Sequence, residues 1–345
     1  MGRAYAAARG RATRGSQPAC PGRPDRAAGQ PPWGGRGSGR QAGAGGGSVR
    51  AARDEHPARP GAGRAGTRSL LRAHGLHARK ALSQSFLADA HIAERCAEAA
   101  TTPAGGTVLE IGAGLGALTR PLCRRAARVI ALERDGRLAA VLRETLAAEA
   151  CLSVVAVDAL RFDWAGALAS GPRPRVVAGN VPYAISGRLI ERTIGLCAEI
   201  DRAVFMLQRE VVDRLCASPG SRIYGAPSVF AQAAFAVRRL LRVRPGAFTP
   251  VPAVESAVVV LEPLRPPRAA ETEAFRAVVR AAFATRRKTL RNAWAGLGGW
   301  TRDELAARAA RAGIALGARA ETLSVEAFAR MAAELEGGIG SWRPS

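Results

Sequence analysis

Asn180, Pro182 and Tyr183 form the most chemically specific stretch of this 345-residue chain. They follow the apolar run Val176–Ala178, which predicts a buried strand, and ligands bind at the carboxyl ends of strands in open α/β sheets. Asn180 offers an acceptor oxygen, Pro182 restricts the backbone so that carbonyls turn outward, and Tyr183 offers a flat face. This set suits a planar amine such as the exocyclic nitrogen of adenine. The alternative is an ordinary Asn-x-Pro turn with a half-buried tyrosine.

A glycine-rich turn follows an earlier predicted strand at residues 108–111. It contains Gly112, Gly114 and Gly116. The turn leads into a helix predicted to begin near Leu115, and such a turn offers close backbone approach and free N–H groups to a ligand. The G-x-G-x-G spacing differs from the dinucleotide pattern G-x-G-x-x-G and favours S-adenosylmethionine, because the preceding Glu110 suits a cationic methionyl group. The alternative is a plain tight turn.

Two further predicted strands end in carboxylates. The first, Arg128–Asp135, ends in Glu133, which lies 21 residues after the first glycine of the turn and could accept both ribose hydroxyls of a nucleoside. The second, Leu152–Asp158, ends in Asp158, which could accept from the adenine amino group of the cofactor. Together with Asn180, three successive strands end in acceptor groups at one sheet edge, in the order of a nucleoside-shaped pocket.

Phe248 lies between Gly246 and Pro250 in a proline-stiffened loop that leads into a final predicted strand. A core aromatic would be unusual there. Phe248 is therefore a candidate second stacking ring facing Tyr183, and local packing under the loop is the alternative.

The chain becomes helical after about residue 265. Thr272–Trp294 is predicted as one amphipathic helix, and two more helices are predicted to start at the capping residues Thr301 and Ser324. Four cations cluster within about two turns of the first helix and could neutralise RNA phosphates. They are Arg286, Arg287, Lys288 and Arg291. A solvated helix face is the alternative.

The net charge of +23 points to a polyanionic partner, and the charge is uneven. Residues 1–80 contain 16 basic and 3 acidic residues, together with 17 Gly and 7 Pro. We predict a disordered Gly/Arg-rich extension over residues 1–76, a catalytic domain over 77–265, a helical RNA-binding domain over 266–336 and a tail over 337–345. The extension is an RNA-contacting tail, an organelle transit peptide, or the product of a start codon assigned too early, with the true start near Ser69.

The six cysteines form no C-x-x-C pair, and there are only four histidines. We therefore expect no metal site, and a reducing compartment such as the cytoplasm. No apolar run of 18 residues and no secretory signal pattern occurs, so we expect no membrane association.

From about Lys80 to Leu335 the chain resembles the KsgA-type ribosomal RNA small-subunit adenine dimethyltransferases. The resemblance covers roughly three-quarters of the sequence. It depends on these motifs: S-Q-S-F-L, E-I-G-A-G-L-G-A-L-T, N-V-P-Y, F-M-L-Q-R-E-V-V-D-R-L, A-F-T-P-V-P-A-V-E-S-A-V-V and R-R-K-T-L-R-N. Several of these motifs have no general methyltransferase meaning, so the resemblance is specific.

The resemblance implies an α/β fold of the class I S-adenosylmethionine-dependent type, with a Rossmann-like seven-stranded sheet and a small α-helical C-terminal domain. It implies a monomer that methylates N6 of two adjacent adenosines near the 3′ end of small-subunit rRNA, on immature small subunits. The implied cofactor contacts are Ser85, Leu87, Gly112, Glu133, Asp158 and Asn180. The implied catalytic residues are Asn180, Pro182 and Tyr183, with Phe248 as a second stacking ring.

Two positions depart from the family pattern, which usually has Asn where Ser85 and Ala184 stand. The first departure could weaken a contact to the cofactor carboxylate, and the second could alter target positioning or the second methylation. Three other functions remain open. They are an Erm-type methyltransferase that acts on large-subunit rRNA and confers macrolide resistance, a non-catalytic ribosome-assembly factor, and a methyltransferase acting on proteins or small molecules.

Overall fold

A seven-stranded sheet carries the core of the computed structural model, which describes residues 63–77, 84–285 and 287–337. The chain divides into two units, Met1–Asp54 and Glu55–Ser345, and every described residue belongs to the second. The sheet strands are β2 Thr107–Ile111, β3 Arg128–Glu133, β4 Leu152–Ala156, β5 Arg175–Asn180, β6 Arg202–Gln208, β7 Phe235–Val243 and β9 Ser256–Pro263. Their order is β4-β3-β2-β5-β6-β9-β7, and β9 runs antiparallel to both of its neighbours while the other pairs are parallel.

A second, two-stranded ribbon pairs β1 Phe86–Leu87 with β8 Phe248–Thr249 in antiparallel register. The helices are α1 Gly63–Ala73, α2 Ala90–Ala100, α3 Thr119–Cys123, α4 Gly136–Thr145, α5 Trp164–Ala169, α6 Ser186–Ile194, α7 Arg209–Leu215, α8 Ala226–Ala234, α9 Glu273–Ala284, α10 Leu290–Ala293, α11 Arg302–Arg311 and α12 Val325–Glu336. Within the described ranges, no helix has the length and apolarity needed to cross a membrane.

The central parallel strands are apolar because helices cover both faces of the sheet. On one face, α2 and α3 pack over residues such as Val108, Val176 and Val258. On the other, α5 to α8 cover a second layer that includes Leu109 and Phe205. This arrangement confirms the predicted α/β fold with its Rossmann-like sheet.

Apolar runs predict six of the seven sheet strands, including Ala203–Leu207 within β6, but they do not predict β7. This strand forms one edge of the sheet, and its sequence F-A-V-R-R-L-L-R-V mixes exposed arginines with half-buried apolar residues. A bulge between Arg239 and Leu241 further disrupts the alternation that would mark a strand. Charged residues are common on edge strands because they discourage pairing with other chains.

The predicted disorder of residues 1–76 is wrong for residues 63–76. Helix α1 occupies Gly63–Ala73, and Leu71 and Leu76 are buried against a small apolar cluster. The prediction depends on the average composition of residues 1–80, and the high glycine content of that region outweighs this short amphipathic segment. Ser69, the start position considered above, lies inside α1, and residues 1–62 are outside the described part.

The helical domain has its own core, which includes Phe275, Trp294 and Phe328. The prediction of one helix over Thr272–Trp294 is wrong, because α9 ends at Ala284 and α10 begins at Leu290. Tertiary contacts explain the break: the Leu290 N–H donates to the Ala318 carbonyl, and the Trp294 indole N–H donates to the Val278 carbonyl. The helix starts predicted at Thr301 and Ser324 are confirmed by the side-chain caps of α11 and α12. Of the predicted tail, only Gly337 is described.

Candidate active site

A cleft opens at the carboxyl ends of β2, β3 and β5, with an empty volume of about 1250 Å³ that includes open solvent. It brings together most of the residues proposed from sequence. The wall includes Ser85, Leu87, Gly112, Glu133, Asp158, Asn180, Pro182 and Tyr183. Phe248, Arg287, Lys288 and Arg291 are not part of this wall. One surface thus presents two carboxylates, an amide and an aromatic ring.

The glycine turn forms the floor of the cleft. All three glycines have positive φ, at 70° for Gly112, 56° for Gly114 and 83° for Gly116, which favours glycine at these positions. A Cβ on Gly112 would lie 3.5 Å from both the Asn180 carbonyl oxygen and the Pro182 ring, so the turn packs closely on the neighbouring strand end. The absence of a side chain there keeps the cleft open.

The helix predicted to begin near Leu115 begins four residues later, at Thr119, and α3 is only five residues long. The N–H groups of the turn are also not free. Gly112 donates to the Leu132 carbonyl at 2.9 Å, and Gly114 donates to the Glu133 carboxylate at 2.9 Å. The turn is therefore held by the end of β3 and does not present a helix N-terminus to a ligand.

Asn180 is held in one orientation by the chain that precedes β1. Its Nδ2 donates to the main-chain carbonyl of Ser85 at 3.1 Å. Because the amide nitrogen is engaged on that side, the Oδ1 atom remains as an acceptor. Ser85 itself is fixed by its hydroxyl, which donates to the Pro250 carbonyl at 2.7 Å. The hydroxyl of Ser85 thus links the two chains at one end of the β1–β8 ribbon, and its carbonyl orients Asn180.

Tyr183 is half-buried at the rim of the cleft, in a short 3₁₀ turn that follows Pro182. Its hydroxyl lies 2.7 Å from the hydroxyl of Ser256, the first residue of β9. Its main-chain carbonyl also accepts a hydrogen bond from the Ser186 hydroxyl at 3.0 Å. The ring is therefore anchored at its polar tip, and this anchoring fixes the direction of its face.

Phe248 is placed differently from the prediction of an open ring facing Tyr183. Its side chain is 1 % exposed and belongs to the apolar cluster beneath the sheet. The reason is the ribbon: Phe248 pairs with Leu87, which is also buried, and the pairing turns both side chains into the core. The structure therefore favours the alternative of packing under the loop.

Glu133 and Asp158 both face the cleft, and both already accept backbone hydrogen bonds. Glu133 accepts from the N–H groups of Gly114 and Asp135, and burial raises the pKa of its carboxyl. Asp158 accepts from the Leu160 N–H at 3.0 Å. A carboxylate offers about four lone-pair positions, so each group keeps capacity for a ligand hydroxyl or amine.

Glu110 is the most unusual ionisable group of the cleft. It is 1 % exposed, and its Oε2 atom has no hydrogen-bond partner within the described structure. Burial raises its pKa to about 8, the nearby Thr119 hydroxyl opposes the shift, and the charge of Glu133 adds to it. A buried carboxyl oxygen without a partner is available to accept a hydrogen bond from a ligand.

The described cations of the basic cluster lie outside the cleft wall and are not on one continuous helix. Arg287, Lys288 and Arg291 are exposed, in the turn after α9 and on α10, whereas Arg286 lies outside the described residues. These cations are on the helical domain and are open to a polyanion.

Two contributions to the site were not predicted from sequence. One is the Ser256 hydroxyl beside Tyr183, and the other is the Ser85 carbonyl that orients Asn180. Ser256 lies in A-V-E-S-A-V-V, part of one of the motifs that carry the family resemblance, but the motif does not indicate what the serine contacts. The Ser85 contact uses the main chain, which no sequence pattern reveals.

The expected absence of a metal stays a prediction. Cys123, Glu149 and Cys151 place their ligand atoms within 4.8 Å of one another, away from the cleft wall. Burial raises the pKa of the Cys123 thiol, which disfavours the thiolate that would bind a cation.

Comparison with known proteins gives a consistent result. The family profile described as Ribosomal RNA adenine dimethylase matches residues 75–336. A protein named Ribosomal RNA small subunit methyltransferase A from Geobacter metallireducens is 43% identical over 268 residues, which cover 76% of this chain and 96% of the relative. A protein of the same name from Rhodospirillum rubrum is 43% identical over 276 residues, with 79% and 93% covered.

Solved structures agree on the fold. A dimethyladenosine transferase from Plasmodium falciparum aligns with a TM-score of 0.61 at 23% identity, over 72% of this chain and 96% of the other. The 23S rRNA methyltransferase ErmE aligns with a TM-score of 0.56 at 27% identity, over 73% of this chain and 99% of the other.

Proposed function

The chain belongs to the ribosomal RNA adenine dimethylase family, and we propose that it transfers methyl groups from S-adenosylmethionine to N6 of two adjacent adenosines near the 3′ end of small-subunit rRNA. The observation that carries this proposal is the oriented amide of Asn180. With Nδ2 bound to the Ser85 carbonyl, Oδ1 is left as an acceptor on a side chain that lines the cleft, where an adenine amino group would enter.

The residues of the cleft fit S-adenosylmethionine. Glu133 and Asp158 are positioned to accept from ribose hydroxyls and from an adenine amino group, respectively, and Leu87 and the Gly112 turn contribute apolar and backbone surface. Glu110 offers a buried oxygen without a partner in the described structure, which is available to accept a hydrogen bond from the amino group of the cofactor. When bound, the cofactor supplies an activated methyl group on a sulfonium. Because the methyl donor is already activated, the protein contributes mainly by positioning.

Two acceptors hold the target amino group. Asn180 Oδ1 is one, and the Pro182 carbonyl is the other, which accepts from the Ile185 N–H at 3.1 Å and keeps a second lone pair. Hydrogen bonds from both N6 hydrogens to these oxygens favour a pyramidal nitrogen, so its lone pair becomes available for attack. The released proton passes to water, and the mechanism requires no strong general base.

Tyr183 holds the flipped base by stacking. A target adenine must leave its helix to reach the cleft, and an aromatic face compensates for the lost stacking by about 1–3 kcal/mol. The hydroxyl contact with Ser256 fixes the ring for this role. Phe248 is buried and could stack on the target adenine only after leaving the core, so we assign the stacking contact to Tyr183 alone.

The exposed Arg287, Lys288 and Arg291 bind rRNA phosphates, together with Arg286 by its place in the sequence. Phosphate contacts orient the RNA but do not read its sequence. The substrate is therefore selected by the shape of the immature small subunit as well as by the adenine pocket.

Methyl transfer to immature small subunits tests the proposal. The full chain is incubated with labelled S-adenosylmethionine and subunits that lack the modification, and the nucleosides are identified by mass spectrometry. We expect dimethyladenosine in small-subunit rRNA, and its loss in Asn180→Ala with an unchanged melting temperature. Label in large-subunit rRNA would instead indicate a 23S rRNA methyltransferase, as ErmE is named. Cofactor binding without transfer to either RNA would identify a ribosome-assembly factor.

A further inference from the structure

The loop at residues 250–255, between β8 and β9, exposes an unusual amount of apolar surface. Only three large apolar side chains are strongly exposed in the described part of the chain, and two of them, Val251 at 51 % and Val254 at 45 %, lie on this loop. Pro250 is exposed beside them. Clustered exposed apolar groups mark a surface that contacts a partner.

Two arginines without partners lie next to this loop. Arg242, near the end of β7, and Arg244, just after it, are exposed, and neither guanidinium forms an ion pair or hydrogen bond within the described residues. Other arginines nearby are paired: Arg239 with Asp213 at 2.6 Å, and Arg209 with Glu255 at 2.8 Å. The carboxylate of the loop is therefore already neutralised, while Arg242 and Arg244 keep their full charge.

The register of the sheet places the backbone between these arginines opposite the residue that anchors Tyr183. Val243, which lies between the two arginines, pairs with Ser256. The Ser256 hydroxyl in turn lies 2.7 Å from the hydroxyl of Tyr183. Arg242 and Arg244 thus flank the residue opposite Ser256, and Val251 and Val254 lie five and two residues before Ser256 in the chain.

We propose that Arg242, Arg244 and the loop at residues 250–255 form a second RNA-binding surface, which holds the nucleotides adjacent to the target adenosine. The guanidinium groups bind phosphates, and Val251 and Val254 contact the bases that unstack when the adenosine leaves its helix. This inference rests on the proposed rRNA substrate. The surface is separate from the basic cluster of the helical domain.

A single-stranded RNA segment fits this combination better than a protein does. Unstacked bases offer apolar faces, and the phosphates between them carry the charge that two unpaired arginines need. In a protein interface, these arginines would require matching carboxylates on the partner. Binding would then release no counterions from phosphates, so the affinity would not show the steep salt dependence of RNA binding. Salt dependence therefore separates the two kinds of partner.

The test measures binding of the full chain to immature small subunits without cofactor, between 50 and 300 mM salt. In the double variant Arg242→Glu/Arg244→Glu we expect affinity at low salt to fall tenfold or more. The slope of log affinity against log salt should become shallower by about 1.5, which is the value for two lost phosphate contacts. The melting temperature and the affinity for S-adenosylmethionine should stay unchanged.

Arg238→Glu is the matched control. Arg238 is exposed on the same strand and has no ion pair within the described residues, but it lies four residues before Arg242, about 13 Å further along β7. We expect its affinity to change by less than threefold.

The loop is tested separately. Val251→Ser/Val254→Ser should raise the KM for subunits about fivefold and leave the salt slope unchanged. Ile223→Ser changes the third exposed apolar residue of the described chain and should leave the KM unchanged.

The same affinity and slope in the double variant as in Arg238→Glu would overturn the proposal. A weaker affinity with an unchanged slope would also overturn it, because the surface would then bind a protein of the subunit. If the full chain transferred no methyl group to any rRNA, the proposed function would fail, yet the slope measured without cofactor would still decide whether this surface binds phosphates.

Discussion

The side-chain nitrogen of Asn180 and the main-chain carbonyl of Ser85 are joined by a hydrogen bond of 3.1 Å. This bond decides which end of the amide faces the substrate, because a free amide could present either its donor or its acceptor. A carboxylate at the same position would repel the Ser85 carbonyl and lose the orientation.

We therefore expect Asn180→Asp to slow methyl transfer about a hundredfold or more, although it keeps an acceptor oxygen. Single-turnover transfer from labelled cofactor measures the loss. Ser85→Ala keeps the carbonyl that binds Asn180 but removes the hydroxyl bond to Pro250 that fixes this carbonyl, so we expect a smaller loss of the same kind. Equal losses in both variants would contradict the orienting role.

The hydroxyl of Tyr183 and its ring should have separable effects. Tyr183→Phe removes the bond to Ser256 but keeps the ring, so we expect a loss of about 1 kcal/mol in kcat/KM. Tyr183→Ala removes the stacking face and should cost about 1–3 kcal/mol more. Steady-state kinetics of Tyr183→Phe, Ser256→Ala and the double variant Tyr183→Phe/Ser256→Ala form a double-mutant cycle. Additive losses in kcat/KM would show that the two hydroxyls do not interact.

Glu110 should make the stability of the protein depend on pH. The folded protein holds the proton up to a pKa of about 8, whereas the unfolded chain releases it near the ordinary glutamate pKa of 4.5. Unfolding therefore releases a proton between these values, and the free energy of unfolding falls as pH rises through that window, by at most about 1.4 kcal/mol per pH unit.

Glu110→Gln removes this titration and should gain stability relative to the parent as pH rises from 5 to 8, with no further change above that range. Denaturant unfolding of both proteins at pH 5, 6.5, 8 and 9 measures the difference. Parallel pH profiles would show that the Glu110 carboxyl is ionised in the folded protein at neutral pH.

Helix α1 should support the cofactor cleft. Leu71 and Leu76 are buried against Phe86, Leu115 and Leu138, and the last three also line the cleft. Burial of each leucine contributes about 1.5–3 kcal/mol, so a chain that starts at His77 should melt at a lower temperature and bind S-adenosylmethionine several-fold more weakly.

A chain that starts at Gly63 is the control for this truncation, because it keeps α1 intact. Calorimetric titration and thermal melting of both chains separate the effects. If the shorter chain bound the cofactor with the affinity of the longer one, α1 would be only a stabilising element.

Gly179 should tolerate no side chain. A Cβ there would collide with the main-chain oxygen of Ile111, which belongs to a rigid neighbouring strand. We expect Gly179→Ala to lower stability by several kcal/mol and to displace Asn180. Gly187→Ala is the control: no atom lies within 4 Å of its added Cβ, and alanine favours the helix by about 1 kcal/mol. Thermal melting of the two variants should shift in opposite directions.

The residues of the site that directly follow buried parallel strands could be predicted from the sequence. Such strands are continuous apolar runs, so the polar residue that ends each one is conspicuous, and Glu133, Asp158 and Asn180 do line one cleft. The cleft and the α/β fold follow from this regularity.

Sequence failed where contacts distant in the chain decide the structure. Phe248 has glycine and proline neighbours that indicate an exposed loop, yet pairing with Leu87 buries it. The break between α9 and α10 depends on the bond from Leu290 to Ala318 in a later segment. Helix α1 is stabilised by residues of other elements, so its own composition does not reveal it.

The bond between the Ser85 hydroxyl and the Pro250 carbonyl links positions 165 residues apart. It implies an order of events during synthesis. The segment that orients Asn180 leaves the ribosome early, but its anchor emerges only after most of the catalytic domain has been made. A nascent chain that ends before β8 would therefore lack a finished pocket, and a protein that modifies ribosomes would become active only near the end of its own translation.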